Sequence, residues 1–220
     1  MEDIIRTLAV YALPVLLAIT LHEAAHGYAA LKLGDSTAFA LGRVTLNPLK
    51  HIDPIGTIAI PVALAIMTAG AFVFGYAKPV PVHMDSLRRP RRDMALVALA
   101  GPASNAVQAL AWAILLTLLD GSGVTEQFFV SVARAGVLVN VVMAVFNLVP
   151  IPPLDGGRIA VSALPTQAGN LLAQVEPYGF FIVMALVYTR VIDAIWMQPL
   201  MAAFYAALNV ILFPLRAIFS

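Results

Sequence analysis

The chain has 220 residues, of which 61% are hydrophobic and only 11% are charged. Soluble domains carry about 25% charged residues, so this composition excludes an ordinary soluble protein and predicts an all-α, polytopic membrane protein surrounded by lipid. The net charge of +1 gives no indication of nucleic-acid binding, and the absence of cysteine leaves histidine and carboxylate as the ligands for any zinc site.

The first apolar stretch, from about Ile4 to Leu31, contains the sequence His22-Glu23-Ala-Ala-His26. On a helix, residues four apart lie on one face, so two imidazoles can bind one metal ion beside a carboxylate. This pattern is typical of zinc hydrolases, and its apolar flanks place the metal at membrane depth. The pattern also occurs by chance in many helices, but ionisable groups inside a membrane segment are costly and usually functional.

A short segment after this stretch, Phe39 to Asn47, partly alternates in polarity and contains β-branched residues. It predicts a short strand or β-hairpin near the active site, where an extended peptide can pair with it by strand addition. An ordinary interfacial loop is an equal alternative.

Four further apolar stretches follow the first one. They are about Ile55–Ala77, Met94–Leu119, Phe128–Val149 and the long run Tyr178–Phe219. A membrane-spanning helix needs about 20 residues, so the last run is long enough for two passes. We therefore predict one domain over residues 1–220, with a catalytic core at about 4–160 and a C-terminal helical hairpin at about 176–219.

The third metal ligand has to be acidic or histidine, and Asp155 is the outstanding candidate. Catalytic zinc typically has three protein ligands and one position for water. Asp155 follows the fourth apolar stretch, where three prolines break the helix and Gly156 and Gly157 free the backbone. Its carboxylate can therefore turn back towards the metal from non-helical chain. A helix N-cap is an alternative role for Asp155, and the two roles are compatible.

Glu23 is expected to be the general base rather than a metal ligand. Zinc lowers the pKa of a water ligand to about 7, and a neighbouring carboxylate can take the proton and pass it to the leaving amine.

Five ordered motifs between about residues 15 and 160 resemble those of the site-2 protease family of intramembrane zinc metalloproteases, in its compact prokaryotic form without PDZ or CBS domains. The motifs are the His22–His26 helix and the segments Asn47–Thr57, Gly75–Val82, Gly101–Asn105 and Asn147–Arg158. The resemblance implies that one zinc ion is bound by His22, His26 and Asp155. It also implies that Glu23 is the catalytic base and that the substrates are transmembrane helices of other proteins.

Two asparagines are part of this resemblance. In the family, the asparagine eight residues before the zinc aspartate is associated with holding the substrate backbone or the active-site geometry, and here it is Asn147. An interhelical hydrogen bond is the alternative for this side chain. Asn105 is a weaker match, and we expect it to have a supporting role, as we expect of Gly156.

The shared metal ion constrains the membrane topology. If His22 and Asp155 bind one ion, the first and fourth stretches run in the same direction, so one stretch between them does not cross the membrane. We predict that Ile55–Ala77 is re-entrant, buried in protein, and that five helices span the bilayer. Arginines cluster at residues 88–92, which predicts a cytoplasmic loop and an active site towards the cytoplasmic side of a prokaryotic membrane.

The sequence thus predicts an intramembrane zinc metalloprotease that cuts transmembrane segments. Two alternatives stay open. A membrane metal-ion carrier would bind its cargo with the same ligands and would give Glu23 no special role. A non-catalytic scaffold for membrane helices would be free to lose any of the four active-site residues, which are all present.

Overall fold

The computed structural model describes residues 2–67, 75–123 and 126–218. The regular secondary structure of these residues is helical, and they contain no strand. The α-helices are α1 (Glu2–Leu33), α2 (Thr37–Ala40), α3 (Ile60–Met67), α4 (Pro90–Gly121), α5 (Gln127–Asn147), α6 (Asp155–Ala163), α7 (Thr166–Ala173), α8 (Glu176–Tyr188) and α9 (Gln198–Arg216). Short 3-10 turns lie at Pro48–Lys50 and Met84–Ser86, and π-helical turns lie at Pro54–Ala59 and Asp193–Met197.

Four helical segments among the described residues are long and apolar enough to cross a membrane. They are Ile5–Leu33, Pro90–Gly121, Gln127–Asn147 and Asp193–Arg216. Helices α7 and α8 pass the same test together, but a bend of 70° separates them. The number of candidate spans is therefore four, or five if the bent pair forms one span, and the chain is an integral membrane protein.

Helix α4 lies at the centre of the fold and packs against α1, α5, α6 and α9. Small residues allow this close approach, because Ala109 and Ala113 of α4 pack against Val141 of α5 and Leu212 of α9. At its beginning, the Asp93 carboxylate accepts the backbone N–H of Arg89 at 2.8 Å, which satisfies a donor at the helix terminus.

The strand or hairpin predicted for Phe39–Asn47 is wrong, since the described residues contain none. Helix α2 occupies Thr37–Ala40, and Gly42 follows it with a φ of +64°. The backbone N–H of Arg43 donates to the carbonyl of Ala38 at 2.9 Å, which is the helix-ending arrangement that favours glycine in the left-handed conformation. Local helix capping thus satisfies the backbone groups that a strand would have to pair elsewhere.

The two ends of the predicted re-entrant segment Ile55–Ala77 are hydrogen-bonded to each other. The N–H of Tyr76 donates to the carbonyl of Gly56 at 3.0 Å, and the Thr57 hydroxyl donates to the carbonyl of Tyr76 at 2.9 Å. Helix α3 accounts for its middle, while residues 68–74 lie outside the described residues. The two ends of the segment therefore meet on the same side of the fold.

The C-terminal part of the chain turns back on itself between α8 and α9. Arg190, with a φ of +58°, lies just after the end of α8. The indole N–H of Trp196 donates to the carbonyl of Val145 at 3.0 Å, which ties the beginning of the last span to α5. The division into a catalytic core and a C-terminal hairpin stays a prediction.

Candidate metal centre

Three side chains that the sequence predicts as ligands converge at one point. The Nε2 atoms of His22 and His26 are 3.0 Å apart, and Asp155 Oδ2 lies 3.2 Å from the first and 3.3 Å from the second. Corners of a tetrahedron around zinc, with bonds of about 2.0–2.1 Å, are separated by about 3.3 Å. All three side chains are buried. The triangle therefore fits one tetrahedral ion with a fourth position left open.

Asp155 Oδ2 has no hydrogen-bond donor among the described residues although it is buried. Leaving a buried carboxylate oxygen without a hydrogen-bond partner costs free energy. A cation at this place would interact with the oxygen and with the lone pairs of the two neighbouring imidazoles. This unpaired oxygen is a second observation, besides the distances, that fits a metal ion.

Two glycines direct Asp155 towards the histidines. A Cβ on Gly156 would lie 2.1 Å from the carbonyl oxygen of Leu148, and one on Gly157 would lie 2.1 Å from the nitrogen of Pro152. The turn between α5 and α6 therefore folds tightly onto the first turn of α6, which only residues without a side chain permit. Gly156, for which a supporting role is predicted, and Gly157 thus both lie in close contact with the backbone of this turn.

Gly101 brings α4 against the metal ligands. A Cβ at this position would lie 2.4 Å from His26 Nε2 and 2.6 Å from His22 Nε2. Because any side chain here would occupy the space around the ligand atoms, α4 can close the site only with glycine.

The other ring nitrogens of both histidines are held by hydrogen bonds. His22 Nδ1 lies 2.6 Å from Asn105 Oδ1, and His26 Nδ1 lies 2.7 Å from the carbonyl oxygen of Val97. Both partners are acceptors, so each Nδ1 carries the proton and each Nε2 presents its lone pair. Asn105 therefore contacts the candidate site directly, through His22.

Asn140 is a further buried residue that the sequence analysis missed. Its Oδ1 accepts the amide of Asn105 at 2.9 Å, and its own amide donates to the carbonyl of Gly136 at 2.9 Å. Both asparagines are fully buried. The signal in the sequence was an amide side chain in the middle of the apolar stretch Phe128–Val149, where a polar group needs a partner.

Glu23 shares a cavity with the three ligands. The cavity has a volume of about 1100 Å³ and is lined by residues of α1, α4, α5, α6 and α8 together with the loop 75–82. Glu23 Oε2 accepts the backbone N–H of Val80 at 2.9 Å, so this loop holds the carboxylate beside the histidines.

Asn147 lines the same cavity at the end of α5. Its amide donates to the carbonyl of Met143 at 3.0 Å, within its own helix. No donor among the described residues reaches its Oδ1 atom, and no ligand of the triangle contacts it. The hydrogen bond that Asn147 makes among the described residues is therefore within its own helix and does not join two helices.

His51, the third histidine of the chain, has a structural role. It is fully buried, and its Nε2 lies 3.0 Å from the carbonyl oxygen of Thr45. Its own carbonyl accepts the N–H of Lys78 at 2.9 Å, which anchors the loop 75–82. His51 is not one of the residues grouped at the metal triangle.

Comparison with known proteins gives one family. The profile described as Peptidase family M50 matches residues 125–189. A Bacillus subtilis protein named "Putative zinc metalloprotease YwhC" is 39% identical over 184 residues, covering 80% of this chain and 78% of that protein. A Mycolicibacterium smegmatis protein named "Putative zinc metalloprotease Rip2" is 31% identical over 190 residues, covering 86% of this chain and 70% of that protein. No solved structure matches the chain.

Proposed function

This chain belongs to peptidase family M50, and on that premise we propose how its residues carry out peptide-bond hydrolysis as an intramembrane zinc metalloprotease. The ligands of the single zinc ion are His22, His26 and Asp155, which the mutual distances of 3.0–3.3 Å support. This triangle of buried ligand atoms carries the proposal. A zinc ion held there supplies a Lewis acid that activates water and polarises the scissile carbonyl.

Glu23 is the general base. Its carboxylate lies in the cavity next to the histidines, and the N–H of Val80 holds one oxygen, which leaves the other free to take a proton. Passing this proton to the leaving amine completes the acid-base cycle. A metal-ion carrier, in contrast, would not need a general base at the position of Glu23.

The substrates are transmembrane segments of other proteins. A peptide bond in an intact helix is shielded by its own hydrogen bonds, so the substrate has to unwind locally within the cavity. Asn147 meets the unwound peptide, because its Oδ1 atom is available to a backbone N–H of the substrate. The volume of about 1100 Å³ accommodates several residues of an extended chain.

The topology is five spanning helices with the re-entrant segment Ile55–Ala77. The hydrogen bond between Gly56 and Tyr76 supports this, because two ends that pair with each other cannot lie on opposite sides of a bilayer. The fifth span is the bent pair α7 and α8. With the arginine cluster at 88–92 in the cytoplasm, the metal centre lies towards the cytoplasmic side.

The experiment is cleavage of a panel of tagged single-span substrates by the purified chain in detergent with zinc. Wild type is compared with Glu23→Gln and Asp155→Ala, and the zinc content of every form is measured. We expect product from wild type alone, lost with a chelator and restored by zinc. Glu23→Gln should keep one zinc per chain, whereas Asp155→Ala should lose it. Cleavage by Glu23→Gln would remove Glu23 as the base.

A further inference from the structure

A second cavity, of about 360 Å³, lies between the N-terminal halves of α1 and α5. Residues of α1 and α5 line it, among them Arg6, Thr7, Ser131 and Arg134. Arg6 precedes His22 by sixteen residues, which is about 24 Å along the axis of α1 at 1.5 Å per residue. The cavity is therefore at the end of the fold opposite the metal centre.

The described side chains that line this cavity carry positive charge only. Both Arg6 and Arg134 line it, and no acidic residue is among its described lining residues. Among the described residues neither guanidinium has an ion pair or a hydrogen-bond partner. Arginine stays protonated in proteins, and both side chains are exposed, so the cavity presents two positive charges that attract an anion. Within the described part of the chain, the cavity thus offers two cations to an anion and no carboxylate among its lining residues.

The depth of the cavity indicates where that anion comes from. The span Ile5–Leu33 has 29 residues. At 1.5 Å per residue a helix of that length extends about 43 Å, beyond the hydrocarbon core of about 30 Å. Arg6, near its N-terminal end, therefore lies at the level of the lipid headgroups. Arg134 lies about 10 Å further along its own helix than Gln127, and its long side chain can reach back to the same level.

The chemistry of the lining matches a phospholipid. A guanidinium binds two phosphate oxygens at once, and the hydroxyls of Thr7 and Ser131 add donors of the kind that phosphate accepts. Val10 and Leu138 give the same cavity apolar walls, which suit the beginning of an acyl chain. We propose that this cavity binds the headgroup phosphate of an anionic phospholipid. This inference depends on membrane insertion and not on the proposed catalytic roles.

The test uses the full chain, purified in detergent and titrated with phosphatidylglycerol or phosphatidylcholine, with retained lipids counted by native mass spectrometry. Wild type should retain one phosphatidylglycerol at concentrations where phosphatidylcholine is not retained, because the choline cation would lie beside two arginines. Equal retention of both lipids by wild type would overturn the proposal, and this comparison needs no variant.

Three variants locate the site. Arg6→Gln and Arg134→Gln should each weaken phosphatidylglycerol retention about tenfold, the loss expected for one charge-assisted hydrogen bond. Arg92→Gln, which removes an exposed arginine at the opposite end of the fold, should leave retention unchanged. Phosphatidylglycerol retention equal to that of wild type in all three variants would contradict the assignment, and so would an equal loss in all three. If Arg134→Gln does not fold, Arg134→Lys replaces it, with a smaller expected loss.

Competitors distinguish the lipid from other anions. Inorganic phosphate should not displace phosphatidylglycerol at equal concentration, because it gains nothing from the apolar walls. Complete displacement by inorganic phosphate would mean a site for small anions, and displacement by a soluble acidic peptide would mean a protein-binding surface. Either result would overturn the lipid proposal.

Discussion

The Nδ1 atom of His22 lies 2.6 Å from Oδ1 of Asn105, and both side chains are buried. An amide oxygen only accepts hydrogen bonds, so this contact fixes the proton on Nδ1 and aims Nε2 at the metal triangle. We expect Asn105→Ala to lower zinc affinity by about 10- to 100-fold, the usual effect of losing such a partner of a metal-bound histidine.

Zinc affinity of Asn105→Ala is measured by competition with a chromophoric chelator, which does not require catalysis. Asn170→Ala removes an exposed asparagine on α7 and is the matched control. Unchanged zinc affinity in Asn105→Ala would show that His22 keeps its orientation without this partner.

Asn140 is hydrogen-bonded to Asn105, which in turn contacts His22. Its Oδ1 holds the Asn105 amide at 2.9 Å and so sets which end of that amide faces His22. Asn140→Asp keeps an acceptor at this place, whereas Asn140→Leu removes it. We expect Asn140→Leu to weaken zinc binding by less than Asn105→Ala does, and Asn140→Asp to be closer to wild type. The reverse order in the chelator competition would contradict this chain of hydrogen bonds.

Replacing Gly101 should disable the metal centre. The added Cβ in Gly101→Ala would lie 2.4 Å from His26 Nε2, so α4 or the histidines have to move. We expect the variant to lose both zinc and cleavage while its helix content stays near that of wild type, as measured by metal analysis and circular dichroism. Ala103→Val adds methyl groups to an exposed position of the same helix and should keep both. One zinc per chain in Gly101→Ala would contradict the close approach of α4.

Much of the site could be predicted from the sequence because its strongest signals are local. Helical spacing alone puts His22 and His26 on one face, and the helix break before Asp155 marks a carboxylate that can turn inward. Asn140 was missed because a lone amide in an apolar stretch does not indicate which helix it faces. The role of Gly101 depends on how α4 crosses α1, which is a property of the packing and not of local sequence.

The strand predicted at Phe39–Asn47 was wrong for a related reason. Alternation over a few residues is a weak signal, and a helix cap at Gly42 outweighs it once the backbone hydrogen bonds are formed locally. The prediction that Ile55–Ala77 returns to its starting side used a global constraint instead. It required only that two ligands reach one ion, and the pairing of Gly56 with Tyr76 agrees with it.

Reporter fusions test this topology directly. Fusions at Asp53 and at Ser86 should report the same side of the membrane, because the re-entrant segment between them returns to where it began. A fusion at Ser122, after α4, should report the opposite side and serves as the control. Opposite sides for Asp53 and Ser86 would mean that Ile55–Ala77 spans the bilayer.

Asp35 ties the end of α1 to the loop that precedes α4. It is fully buried, and its two carboxylate oxygens accept the backbone N–H of Thr37 at 2.9 Å and that of His83 at 2.6 Å. Burial by itself raises the pKa of the Asp35 carboxyl. The hydrogen bonds from Thr37 and His83, together with the nearby His83 imidazole, lower the pKa by more than burial raises it. The net result is a pKa below the ordinary value of 3.8. The charged form is therefore the one that the folded state prefers.

The sign of the resulting pH dependence follows from this lowered pKa. The stabilisation by Asp35 is fully present above the ordinary aspartate pKa, which applies in the unfolded chain, and is lost as pH falls through the lower pKa of the folded state. Asp35→Asn should lower the free energy of unfolding by about 1–2 kcal/mol at pH 7, because its amide cannot accept both N–H groups. Below about pH 4 the difference from wild type should shrink.

Thermal unfolding in detergent at stepped pH values measures this effect. Asp85→Asn changes an exposed aspartate in the same loop and should follow wild type at every pH. A difference in thermal stability between wild type and Asp35→Asn that stays constant from pH 7 down to pH 3 would show that protonation of the Asp35 carboxylate is not coupled to folding. Convergence of the two curves in acid, with Asp85→Asn still following wild type, would assign the acid sensitivity to the contacts of the Asp35 carboxylate with the backbone N–H groups of Thr37 and His83.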